Sequence, residues 1–355
     1  MNPEMLIPVA DTLSVPWGWF QFLLMLTFPL HLIAMNAMLG TALIAVIAHR
    51  FSGGPYRELS HELAKVLPFL VAFAINLGVA PLLFVNVLYG HLFYTSTVLM
   101  GMFWLSVILI LIIAYYLAYL YDFRFEKLGN LAVPVILTSL LLLLAVGFIF
   151  SNNMTMMIYP TSWSRWFAAS GGTLLNLADP TLPSRYLHMI TGALAVGGLF
   201  VALYSSTLQS HDAEVAAAGK NLGMKLFTWM TGLQFIVGIW FLLALSPETM
   251  KRFMGGNIVS TGLLVAGLAL AIVTMITGAR RKILASVFLT IPLLYVMAFM
   301  RDSVRTGYLA PYFDVTRTPV QIQWSPLLFF LVILIIGLGV IVWMVCKVRS
   351  IKKAI

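Results

Sequence analysis

The stretch 185–210 reads RYLHMITGALAVGGLFVALYSSTLQS and contains no charged residue after Arg185. It is longer than the about 20 apolar residues that a helix needs to cross the hydrocarbon core of a membrane. It carries one histidine, His188, near its start. A histidine inside hydrocarbon is costly and generally faces a partner, a cavity or a metal. The stretch therefore predicts a transmembrane helix with a functional imidazole.

Charge-free stretches recur throughout the chain, and the longest of them, 66–121, has the length of two spans. We place a turn inside it at Tyr89-Gly90-His91, which gives nine transmembrane helices. Only 9% of the 355 residues are charged, 61% are hydrophobic, and the mean hydropathy is +0.98; soluble domains carry about 25% charged residues. We predict an all-α polytopic membrane protein with one domain, 1–355. The stretches are 13–47, 66–121, 128–164, 186–210, 226–246, 253–279, 283–300 and 318–346.

Basic residues are distributed unevenly between the two sets of loops. With the N-terminus outside, fourteen of the 21 lysines and arginines fall on the inner side. Because cytoplasmic loops of membrane proteins are rich in Lys and Arg, we predict that the N-terminus is outside and the C-terminus inside. We expect a multi-pass protein of a bacterial inner membrane. The net charge of +9 then reflects this bias, and we expect no nucleic-acid partner.

Cysteine and histidine narrow the possible chemistry. Cys346 is the only cysteine, so one chain cannot form a disulfide framework, a zinc knuckle or an iron–sulfur cluster. The chain also lacks the Cys-x-x-Cys-His sequence that attaches a c-type haem. Two imidazoles, His31 and His188, lie inside apolar spans, and neutral imidazole is a common axial ligand of haem iron. We assign no chemistry to His49 and His211, which are predicted to lie in inner loops.

Several motifs resemble subunit I of the cytochrome bd oxidase superfamily, and the likeness extends over nearly all nine helices. His31 is followed nine residues later by Gly40, as in the first helix of that family. Ile75-Asn-Leu-Gly-Val-Ala80 resembles its second helix. Asp179-Pro followed by Arg185-Tyr-Leu-His188 resembles the family's Asn-Pro followed by Lys-Phe-Val-His.

The resemblance implies specific cofactor-binding residues. His188 would ligate a low-spin b haem, with Met254 of Arg252-Phe253-Met254 as its second ligand and Arg252 beside a haem propionate. His31 would ligate a further haem, so one b haem is expected and up to three are possible. Without the resemblance, ligation and ordinary packing are equally open for His188, whereas a methionine such as Met254 at a helix end is usually packing.

The eighth helix departs from the family's pattern. The family ends this helix with Glu-x-Gly-Arg-Gln-Pro-Trp, whose glutamate ligates a haem, whereas this chain has Asp302-Ser-Val-Arg305. Asp302 and Arg305 keep the acid-to-arginine spacing. A haem-binding role and an ordinary ion pair at the outer helix end remain equally open for these two residues.

Acidic residues are also absent from the second and third predicted spans. Oxidases of this family carry glutamates that deliver protons to the oxygen-reducing haem. Met100, Ile108 and Asn86 occupy those places here, and the stretch 66–121 contains no Asp or Glu. The resemblance is therefore to a branch of the superfamily that does not reduce oxygen.

The implied function is electron transfer by a haem-b subunit between membrane quinone and a periplasmic c-type cytochrome. We expect that cytochrome to be multihaem. The two would belong to a hetero-oligomeric quinol/quinone oxidoreductase complex. A quinone site is expected near Glu248 and Lys251. The outer segment 151–185, with Trp163 and Trp166, is predicted to form an aromatic belt at the membrane surface or a docking surface. Two alternatives remain: a genuine bd-type quinol:oxygen oxidoreductase, and a non-redox transporter or membrane anchor.

Overall fold

The computed structural model describes residues 3–51, 53–168, 170–208 and 212–354. Within these ranges nine helices are long and apolar enough to cross a membrane, and there is no β-sheet. The protein is therefore an all-α, multi-pass membrane protein, as predicted. Its helices are α1 Trp17–Arg50, α2 Pro55–Leu99, α3 Gly101–Phe123, α4 Phe125–Leu128, α5 Ala132–Ile158, α6 Thr181–Thr207, α7 Ala213–Ala244, α8 Pro247–Lys251, α9 Ile258–Ala279, α10 Ile283–Leu309 and α11 Trp324–Ala354.

The boundary between the second and third spans differs from our prediction. No turn forms at Tyr89-Gly90-His91; α2 loses helical dihedral angles only at Tyr89 (φ −131°, ψ 29°) and continues to Leu99. The chain reverses at Met100, which is fully buried. The connection between α5 and α6 satisfies the backbone there, because Met102 N–H donates to the Gly172 carbonyl and Leu174 N–H donates to the Leu99 carbonyl.

The outer segment 151–185 is more buried than predicted. Its first part is the end of α5, and a 3₁₀ helix, Pro160–Ala168, follows. The Trp163 side chain is 2% exposed and its indole N–H donates to the Met156 carbonyl at 2.9 Å. Trp163 therefore belongs to the core, and the prediction that it forms a surface belt or a docking site is wrong.

We expect Trp163→Ala to lower the free energy of unfolding by about 3–5 kcal/mol, since it removes a buried aromatic side chain. Trp229→Ala is the matched control, because the Trp229 side chain is 75% exposed on the outside of α7. Thermal unfolding in detergent measures both. A Trp163 variant as stable as the control would contradict the core assignment.

Glycines allow α1 and α6 to pack closely. A Cβ on Gly197 would lie 2.4 Å from both the Asn36 carbonyl oxygen and the Gly40 Cα, and a Cβ on Gly40 would lie 2.3 Å from the Gly197 Cα. Small residues permit such close approach between transmembrane helices, where apolar burial supplies no driving force. The contact joins the two helices that carry His31 and His188.

The last span stands apart from the others. Apart from Leu327, residues 321–350 are exposed, so α11 presents nearly its whole surface outside the chain's own core. Its connection runs through a short 3₁₀ helix, Val315–Arg317, capped by Asp314. Hydrogen bonds from the Thr316 N–H and hydroxyl lower the pKa of the Asp314 carboxyl group. The segment before α11 also pairs with the segment before α1, through a parallel β-bridge between Leu13 and Val320.

Candidate functional site

The His31 side chain, on α1, is oriented by α2. Its Nδ1 lies 3.0 Å from the Ala74 carbonyl oxygen. Because a carbonyl only accepts, this contact places the ring proton on Nδ1 and leaves the Nε2 lone pair free. Metal-ligating histidines are typically held in this way by a hydrogen bond from the second ring nitrogen.

Gly78 makes room for this ring. A Cβ at Gly78 would lie 2.9 Å from Cε1 and 3.0 Å from Nδ1 of His31, so only glycine fits without displacing the imidazole. Gly78 lies in the motif Ile75-Asn-Leu-Gly-Val-Ala80. The motif is visible in the sequence, but the role of its glycine is not.

The His188 side chain, on α6, packs against α7. A Cβ at Gly238 would lie 3.3 Å from its Cε1, and the Phe241 ring stacks on it with centroids 6.2 Å apart. His188 Nδ1 is buried and has no hydrogen-bond partner among the described residues. Leaving a buried polar atom unpaired costs about 1–3 kcal/mol, so this imidazole calls for a ligand.

Two side-chain hydrogen bonds join α6 to α7 at His188. The Gln234 amide donates to the His188 carbonyl at 2.9 Å, and the Thr191 hydroxyl donates to the Gln234 amide oxygen at 2.9 Å. The seat for His188 therefore consists of Gly238, Phe241 and Gln234 from one helix. None of these three was a candidate from sequence.

Met254 and Arg252 lie on a distorted segment between α8 and α9. Residues Arg252–Gly256 form a π-helical turn, and Met254 has non-helical dihedral angles (φ −104°, ψ 36°). π-bulges are frequent at functional sites. The Met254 side chain is 66% exposed, whereas Arg252 has a buried Nε without a hydrogen-bond partner in the described structure. The structure does not bring the Met254 sulfur against His188.

Asp302 and Arg305 form an ion pair on α10. The second carboxylate oxygen of Asp302 accepts a hydrogen bond of 2.8 Å from the Gln21 amide of α1. Arg305 is buried, and its guanidinium lies 4.4 Å from the centre of the Tyr89 ring. The pair expected from sequence is therefore present, but it lies between helices and not at an open helix end.

Two further arginines lie beside the histidines. The Arg185 guanidinium lies 5.0 Å from the centre of the Phe241 ring, and that of Arg301 lies 4.4 Å from the centre of the Phe28 ring. In the sequence Arg185 stands out only as part of a motif, and Arg301 was not among the predicted site residues. The available signal was its position directly after the charge-free stretch 283–300, where a charge at a span is unusual.

His49 takes part in a contact between α1 and α3. His49 lies in the last turn of α1 and not in a loop, with Nδ1 3.2 Å from the Tyr121 hydroxyl. That hydroxyl is also 2.6 Å from the Ser60 hydroxyl. His211 lies outside the described residues. Across the described ranges no three His, Cys, Asp or Glu side chains come together in a group able to hold a metal ion.

Comparisons with known proteins bear on the fold. No family model and no curated protein matches the chain. Among solved structures it is similar to that of bd oxidase from Geobacillus thermodenitrificans, with a TM-score of 0.70 over 99% of both chains. The chain has the bd oxidase fold. The two sequences are 11% identical, so this similarity shows the architecture alone.

Within the bd oxidase fold, the residues at His31 and His188 fit an axially ligated haem. Each imidazole is packed over a glycine, each lies inside a membrane span, and each keeps a nitrogen that no described residue occupies. A porphyrin supplies four of the iron ligands itself, so one or two side chains complete the coordination.

Proposed function

We propose that the protein is a haem-b electron-transfer subunit of a quinol/quinone oxidoreductase complex in a bacterial inner membrane. It would pass electrons between the quinone pool and a periplasmic c-type cytochrome. The observation that carries the proposal is the pair of glycine-seated imidazoles, His31 and His188, inside a bd oxidase fold. When bound, haem supplies one-electron redox chemistry within the apolar interior.

The chain's own residues would hold and tune this cofactor. His31 would offer Nε2, with the Ala74 carbonyl fixing its tautomer. His188 would be held by the Gly238 and Phe241 seat. Met254 remains the proposed second ligand to the His188 haem; its exposed position on the π-helical turn requires that this segment turn inward when the haem binds. Arg252 is proposed to face a haem carboxylate, and the Asp302–Arg305 pair is proposed to lie beside a haem.

We propose a shallow, open depression on the surface of α9 as the place of the expected quinone site. It has a volume of about 620 Å³ and follows the outer half of α9 directly after Met254. Such a depression suits the apolar tail of a quinone that enters from the bilayer. Glu248 and Lys251 of α8 precede it in the chain. The depression is lined by Gly255, Ile258, Thr261, Gly262, Val265, Ala266 and Ala269.

The missing acids favour a role other than oxygen reduction. Met100 is buried, and its sulfur accepts a hydrogen bond of 3.5 Å from the Asn153 amide. The Ile108 side chain is 64% exposed on the outside of α3. Neither can move a proton. Reduction of oxygen consumes protons, so a route along α2 and α3 without any Asp or Glu between residues 66 and 121 disfavours the alternative of a quinol:oxygen oxidoreductase.

The purified protein is expected to show b-type bands and no d-type absorbance in a reduced-minus-oxidised spectrum. We also expect that it consumes no oxygen when given a reduced quinol. Oxygen uptake in an electrode chamber measures the second point, with a purified bd oxidase as the positive control. Rapid cyanide-insensitive uptake would favour the oxidase alternative, whereas a haem-free protein would favour a non-redox transporter or anchor.

The expected partners are a c-type cytochrome and further subunits of a hetero-oligomer. The chain has no Cys-x-x-Cys-His sequence, so continuation of the electron path on the outer side requires a separate carrier. Copurification from the native membrane tests this part of the proposal. The absence of any cytochrome from an otherwise intact complex would contradict it.

A further inference from the structure

Positive charge is concentrated at the predicted outer ends of α6 and α10, where Arg305 is buried and Arg185 and Arg301 are half-buried. Arg185, Arg301 and Arg305 lie there, each over an aromatic ring of a different helix, at 5.0, 4.4 and 4.4 Å. Arg301 interacts electrostatically with both Arg185 and Arg305. Cations that interact with one another inside a membrane protein require compensating negative charge.

The chain itself supplies too little of that charge. Asp302 pairs with Arg305, and its other oxygen is taken by Gln21. Across the described ranges no carboxylate lies within ion-pair distance of Arg185 or Arg301. Nε and Nη2 of Arg185 are buried and have no acceptor there. Asp179 interacts with Arg185 only over a longer distance, since its own oxygens accept hydrogen bonds from Thr181 and Asn176.

The two unpaired arginines occupy equivalent positions relative to the two histidines. Arg185 precedes His188 by three residues, and both side chains lie over Phe241. Arg301 lies over Phe28, which precedes His31 by three residues, and it interacts electrostatically with His31. Residues three apart share a helix face, about one turn or 5 Å apart along the axis. Each cation therefore lies about one turn outward of a candidate iron ligand.

We propose that Arg185 and Arg301 form one anion site that takes the carboxylates of the cofactors held at His188 and His31, and that Arg301 couples the two cofactors electrostatically. This inference rests on the proposed function. The shared chemistry is an anionic oxygen between two guanidinium groups, and the phosphate of an anionic lipid is the other possible source of it.

The test is spectroelectrochemical titration of the full chain with Arg301→Gln and Arg185→Gln. A nearby cation favours the reduced haem, because reduction lowers the local charge by one. Arg301→Gln should therefore lower the midpoint potentials of both haem signals by at least about 59 mV, which is a tenfold change in the equilibrium constant for reduction. Arg185→Gln should lower mainly the potential of the haem that depends on His188. Arg317→Gln is the control, since its side chain is 87% exposed.

The variant Arg301→Lys distinguishes the effect of the lost charge from an effect on folding. It keeps the cation and should retain both potentials within a few-fold, so loss of haem in Arg301→Gln with recovery in Arg301→Lys also supports the proposal. Shifts no larger than those of Arg317→Gln overturn it. A wild-type protein without haem would instead refute the proposed function itself.

A second experiment, in which lipid is added, identifies the anion. Delipidated wild type and the double variant Arg185→Gln/Arg301→Gln are compared for thermal stability after addition of phosphatidylglycerol or phosphatidylcholine. Equal responses of the two proteins are expected if the site holds cofactor carboxylates. Stabilisation of the wild type alone by phosphatidylglycerol, together with unshifted potentials, would assign the site to lipid phosphate and overturn the proposal.

Discussion

His188→Ala is expected to abolish one low-spin b-type signal of the purified protein while the signal that depends on His31 remains. Alanine offers no ligand, and the seat formed by Gly238 and Phe241 cannot supply one. His31→Ala should remove the other signal and leave that of His188. Met254→Ala should convert the His188 haem to a high-spin species, since only one of its two axial ligands is lost. Visible and electron paramagnetic resonance spectra measure these changes.

His61→Ala provides the matched control for the histidine variants. His61 stacks on Phe125 near the predicted inner surface, with centroids 4.5 Å apart, well away from the seats of His31 and His188. Both haem signals should persist in that variant. If His188→Ala retained an unchanged low-spin spectrum, its ligand role would be wrong, and unchanged spin in Met254→Ala would restrict the proposal to the histidine.

Gly197→Ala should destabilise the protein by about 3 kcal/mol or more, the upper part of the usual range for overpacking. Its methyl group would overlap backbone atoms of α1 at 2.4 Å, and backbone cannot rotate away as a side chain can. Relief requires that α1 and α6 separate along their contact. Because these helices carry His31 and His188, we expect loss of both haem signals together with a lower unfolding temperature.

Gly262→Ala is the control for this variant. Gly262 also lies in a membrane span, on α9, and no atom lies within 4 Å of the position that its Cβ would occupy. Its unfolding temperature should remain close to that of the wild type. A Gly197 variant that matched Gly262→Ala would mean that α1 and α6 are not in close contact in the membrane.

The number of spans was predictable, whereas one of the turns was not. Charge-free stretches mark hydrocarbon-crossing helices whatever their neighbours, so the nine spans follow from composition. The stretch 66–121 has no charged residue to mark its turn, and Gly90 and His91 only resembled one. The real reversal at Met100 needs no polar residue, because Gly172 and Leu174 of the connection between α5 and α6 satisfy its backbone. Such a distant partner leaves no trace in the local pattern.

The residues of the candidate site were likewise predictable only in part. His31 and His188 stand out in sequence because a histidine in hydrocarbon is costly. Their seats do not, since Gly78 and Gly238 acquire a role only when another helix packs against them. Trp163 was misjudged because tryptophan suits both a membrane surface and a core, and only tertiary contacts separate the two. The pairing of His188 with Met254 remains a prediction.

The pairing of Leu13 with Val320 sets an order on assembly in the membrane. Leu13 N–H donates to the Pro319 carbonyl and Gln321 N–H donates to the Leu13 carbonyl, so the segment before the first span is completed by the segment before the last. During synthesis the first eight spans enter the bilayer while these backbone groups still lack partners. Only arrival of α11 closes them. A chain truncated before residue 319 would lack the backbone partners of Leu13, although all six candidate cofactor residues would already be in place.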